Sequence, residues 1–92
     1  MPHTWTYEDD VLTFYIYRYE ADDFISLNSV ARHIGFNDTG SLKMRVKNFQ
    51  AVDGKIGGLE NYAQLTEQVY NEYQSVSQET HREKCLKIME IA

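Results

Sequence analysis

Apolar side chains along this chain recur mostly at intervals of three and four, the spacing that lines one side of an α-helix. Leu12, Tyr15, Ile16 and Tyr19 stand at i, i+3, i+4 and i+7, widened by Val11 and Phe14, and predict a first helix over about 7–19. Thr6 stands ahead of it as an N-cap, with Glu8, Asp9 and Asp10 in the first turn, where acids favour the positive end of the helix dipole. The run 14–17 also suits a strand, but the acid-loaded start favours the helix. Leu27, Val30, Ala31 and Ile34 repeat the spacing in a short second helix, capped by Ser26 or Asn28 and ended by Gly35. A turn of Asn, Asp, Thr and Gly over 36–40 leads to a third helix ending near Val52, capped by Thr39 or Ser41, with Leu42, Val46 and Phe49 inward. Leu65, Val69 and Tyr73 mark a further helix that begins near Thr66 and Glu67. Beyond it Val76, Cys85, Ile88 and Met89 extend an apolar stripe across the polar stretch 75–80, which leaves one long helix and a separate last helix both open. The predicted fold class is all-α, a small bundle of four to five helices. A single domain is expected over 1–92, with its core in 5–74 and a C-terminal helical extension over 75–92.

Composition bounds this picture. Ninety-two residues make one domain, and 42% apolar residues are enough for a core of its own. The lone Cys85 forms no internal disulfide and no Cys-rich zinc site, which fits a reducing compartment. No apolar run nears the length of a membrane span and the first ten residues do not read as a signal peptide, so a cytoplasmic location is expected. The net charge of −5 argues against a nucleic-acid binder until its distribution is considered. Residues 1–25 carry one base and six acids, 26–58 five bases and two acids, and 59–92 three bases and six acids, so the middle of the chain is basic.

That basic block coincides with the second and third helices. A short helix, a glycine-bearing turn and a helix showing cations have the proportions of a helix-turn-helix unit, whose second helix enters the major groove. On the third helix Lys43 and Arg45 flank the inward stripe on opposite sides, while Lys47 points away with Met44 and Ala51. Candidate nucleic-acid contacts are therefore Arg32, Thr39, Ser41, Lys43, Arg45, Lys47, Asn48 and Lys55, with double-stranded DNA as the partner. A plain helical hairpin with solvated lysines is the simpler alternative.

Several segments carry a resemblance. These are 5–9, Ser29-Val30-Ala31 with Ile34-Gly35, the stretch 40–53, Gly58-Leu59 with Asn61, and Leu65 with 69–73. In this order, over about 5–74, they resemble the small helical domain that precedes the nuclease module in many bacterial HNH-type endonucleases. The resemblance implies a winged-helix-like or helix-turn-helix-like DNA reader in which Ser41 is the cap and a contact, Arg45 and Asn48 form the polar face and Phe49 anchors the core. No His-Asn-His or ββα-metal segment follows in this stretch, so a regulator or accessory of a restriction or defence system, a decoy or an inhibitor is expected rather than a nuclease.

No catalytic residue is expected. His3, His33 and His81 are scattered, Cys85 lacks a His-Asn partner pattern, and Gly54, Gly57 and Gly58 fit no phosphate-cradle spacing, so neither an enzyme nor a cofactor or metal site is predicted. A rival reading is a small acidic phage- or plasmid-encoded inhibitor of a nuclease or CRISPR-type complex. It would use Asp9, Asp10, Tyr17, Asp22 and Asp23 as a negative face. A homodimer through the apolar C-terminal segment at Ile88 and Met89 is the expected route to a two-fold DNA site.

Overall fold

A computed structural model describes residues 3–19, 24–54 and 64–90. Its helices are α1 (Tyr7–Arg18), α2 (Leu27–Ile34), α3 (Gly40–Val52), α4 (Gln64–Tyr73) and α5 (Gln78–Ile88), and no strand occurs among the described residues. None of these helices is long and apolar enough to cross a membrane.

Local chemistry sets most of the helix ends. Thr6 Oγ1 accepts from the Asp9 amide at 3.1 Å while the Thr6 amide donates to Asp9 Oδ2 at 3.0 Å, a reciprocal capping box that satisfies two otherwise orphaned donors. Ser26 and Ser29 repeat the device at the start of α2, which decides the cap in favour of Ser26 over Asn28. Gly35 ends α2 at φ 108°, a left-handed conformation suited to glycine, and the Phe36 amide closes the turn onto Ala31 O at 2.8 Å. α3 departs from expectation. Thr39 occupies the cap position without a side-chain bond, Ser41 lies inside the helix, and Asp38 Oδ1 instead accepts from the Gly40 amide at 2.9 Å. Ser77 caps α5 by accepting from the Thr80 amide at 3.2 Å, so the last helix is separate from α4.

The packing is organised around α1, which touches all four other helices. Every residue from Asp9 to Tyr15 is buried, so α1 is enclosed on all sides rather than along the single stripe its periodicity suggests. That encirclement explains why 14–17 is apolar enough to resemble a strand. Phe14 stacks on Phe49 of α3 with ring centroids 4.8 Å apart, and Val69 of α4 and Cys85 of α5 complete the core from the other sides. Arg18 at the end of α1 donates to the carbonyls of Tyr73 and Val76, holding the corner between α4 and α5. Ile88 and Met89 pack against this core, so they do not form the bare apolar stripe expected for a dimer contact.

Candidate nucleic-acid interface

α3 buries Leu42, Arg45 and Phe49 and turns its opposite side outward. Ser41, Lys43, Met44 and Lys47 are exposed there and Asn48 is half-buried. Lys43 and Lys47 stand four residues apart and form one row; Ser41, Met44 and Asn48, at i, i+3 and i+7, form a second beside it. Along the second row runs a groove of about 370 Å³ lined by Trp5, Ser41, Met44, Arg45 and Asn48. A smaller hollow of about 210 Å³ at the turn between α2 and α3 brings exposed Arg32 together with Thr39, beside Asp38. Of the four described cations of the basic block, Arg32, Lys43 and Lys47 are thus presented on the surface and one is not.

That cation is Arg45. Its guanidinium turns inward, donating from Nε to Asp10 Oδ1 at 2.7 Å and from Nη2 to Asp10 Oδ2 at 2.6 Å. Asp10 has no solvent exposure, and Thr66 of α4 donates to its Oδ2 at 3.3 Å. The Trp5 ring covers the outer side of the guanidinium, 4.7 Å from its carbon. A two-pronged guanidinium-to-carboxylate pair of this kind satisfies both partners where the carboxylate is sealed from water and the guanidinium side chain is only 10% exposed. Two expectations are corrected by this one contact: Arg45 is not an outward polar contact, and Asp10 is not part of an acidic surface. Asp9 is also withdrawn, 8% exposed, its carboxylate held by the Thr6 amide and by His3 Nε2 at 2.7 Å.

Tyr17 is likewise engaged within the molecule. Its hydroxyl donates to Asp53 Oδ2 at 2.6 Å and that of Tyr70 donates to Oδ1 at 2.6 Å, so one carboxylate at the end of α3 ties α1 to α4. Burial and the Asp53 bond push the Tyr17 hydroxyl well above the usual phenol range; at Tyr70 the Asp53 bond is the first cause and burial the second. Lys55, Asp22 and Asp23, with Gly58, Leu59 and Asn61 of the resemblance, lie outside the described residues.

Sequence reasoning missed three participants. Trp5 precedes the first helix and gave no periodic signal, yet it walls the groove. Met44 was placed outward but assigned no role, although it is 62% exposed. His81 was a scattered histidine and is in fact fully buried, its Nε2 2.8 Å from Val11 O, its Nδ1 without a partner, and Tyr15, Tyr73 and Phe14 around it. Burial, with a smaller contribution from the Arg18 charge, holds its pKa down to about 4. Among the described residues no group of three or more His, Cys, Asp or Glu side chains is placed to hold a metal ion. Comparison of the chain with protein-family models, with curated proteins and with solved structures finds no match in any of the three.

Proposed function

We propose that this chain binds duplex DNA through the outer side of α3, as a module without chemistry of its own. The observation that carries the reading is the row of Lys43 and Lys47, exposed on a helix that contains no Asp or Glu, beside a second row of groups suited to base edges. From residue 24 to 52 the sole acid is Asp38, which accepts from the Gly40 amide at the start of α3, while Arg32 adds a cation at the turn. Arg45 contributes no positive potential because Asp10 balances it internally. The residue-level resemblance to the domain beside HNH nuclease modules supports the same reading and extends it to a regulator or accessory of a restriction or defence system. The acidic-inhibitor reading is weakened by the withdrawal of Asp9, Asp10 and Tyr17 into internal contacts.

With Arg32, Lys43 and Lys47 at phosphates, log K for a labelled duplex should fall with log salt at a slope near about −2.7, that is, about 0.9 for each of three phosphates. Fluorescence anisotropy across a salt series measures it. The double variant Lys43→Glu/Lys47→Glu should lower affinity on every sequence and flatten the slope, its fold being checked by circular dichroism. A wild-type affinity insensitive to salt, or a double variant that binds as tightly, defeats the reading.

A further inference from the structure

We propose that Met44 and Asn48 make α3 a reader of A·T pairs, with Met44 seated on the 5-methyl group of the pyrimidine; this rests on the DNA-binding reading above. The side chains able to reach a base edge are few. Guanine is most often read by a two-pronged arginine, but the single arginine of α3 gives Nε and Nη2 to Asp10 and is roofed by Trp5. Lys43 and Lys47 stand in the neighbouring row, where they meet phosphates. What remains along the groove is one hydroxyl, one carboxamide and one long apolar chain, those of Ser41, Asn48 and Met44.

A carboxamide pairs with adenine through its N6 and N7 atoms, and an apolar side chain finds one apolar feature in the major groove, the 5-methyl of thymine. Met44 is positioned for that contact. It is exposed on a helix with lysine three residues ahead and asparagine four ahead, and the Trp5 ring walls the groove beside it. Its flexible thioether adapts to a shallow apolar bump better than a branched chain would. The occupant fixed by these groups is a pyrimidine methyl flanked on one side by the lysine row and on the other by the Asn48 carboxamide. The 5-methylcytosine of a modified G·C pair shares that chemistry.

The test uses the whole chain and two labelled 20-base-pair alternating duplexes, one of A and T and one in which every thymine is uracil, alike except for the methyl groups. Loss of one buried methyl contact corresponds to about a fourfold weaker complex, from about 0.8 kcal/mol per methyl. The uracil duplex should bind about that much more weakly. Met44→Ala should bind both duplexes equally, with the salt slope unchanged because no cation is removed. Asn48→Ala should keep only the methyl-dependent, about fourfold, part of the preference for the thymine duplex over an unmethylated alternating G·C duplex, and methylating that cytosine should restore about fourfold to wild type and to Asn48→Ala but not to Met44→Ala. Equal wild-type affinity for the thymine and uracil duplexes overturns the inference while leaving DNA binding intact. So does an uracil penalty that survives in Met44→Ala. Failure to bind any duplex removes the DNA-binding reading itself.

Discussion

Asp10 and Arg45 show how far one pair of side chains governs this molecule. The two lie 35 residues apart and meet where α1, α3 and α4 converge, with Thr66 completing the carboxylate's bonds. Removing one partner leaves an uncompensated, largely buried charge, at a cost of up to about 3–5 kcal/mol, whereas replacing both with apolar groups of similar volume is often neutral or stabilising. Asp10→Leu and Arg45→Met should therefore each lower the urea midpoint strongly, and the double variant should recover most of the loss. A double variant as unstable as the sum of the singles would show that the pair does more than neutralise itself. This contact was not legible in the sequence. An acid in the first turn of a helix is sufficiently explained by the helix dipole, and an arginine at the edge of an apolar stripe reads as surface because its long stem suits either destination. Only the crossing of α1 and α3 decides between them, and no local pattern encodes a crossing.

Helix ends were far more legible, because caps act over three or four residues. Thr6, Ser26 and Gly35 occupy the roles their types suggest, and the apolar spacing locates the first four helices but leaves open the separation of α5 from α4, which the Ser77 cap decides. α3 was the exception at its start: threonine, glycine and serine in succession offered two plausible caps, and Asp38 supplied the bond instead. α2 gives a clean test of these local contributions. Ser26→Ala removes an acceptor from the first turn and should cost about 1 kcal/mol. At Gly35 an added Cβ would meet nothing within 4 Å, so Gly35→Ala is penalised by its φ of 108° alone, again by about 1 kcal/mol. The two ends share no contact, so the double variant should lose about 2 kcal/mol in chemical denaturation. A neutral Gly35→Ala would mean that the turn into α3 is not held as described.

At the scale of the whole molecule, acid sensitivity follows from the burial of His81. Unfolded, this histidine takes up a proton near the ordinary histidine value of 6.5; folded, it does so only at about 4. Between those values the unfolded chain binds more protons. The contribution to stability is therefore full above pH 6.5 and declines as pH falls toward 4, by about 3 kcal/mol in all. Urea midpoints across that range should fall with acidity in wild type and fall less steeply in His81→Gln; parallel slopes would show that the burial is not maintained in solution. The same histidine joins the last helix to the first, since its Nε2 donates to Val11 O in the helix that every other one surrounds. During synthesis that central helix emerges from the ribosome before the other described helices, and the helix bearing His81 emerges after them. The nascent chain must therefore carry Val11, Phe14 and Tyr15 incompletely covered until the segment bearing His81 has cleared the exit tunnel, and a stalled or prematurely terminated product would offer that sticky surface to chaperones and proteases.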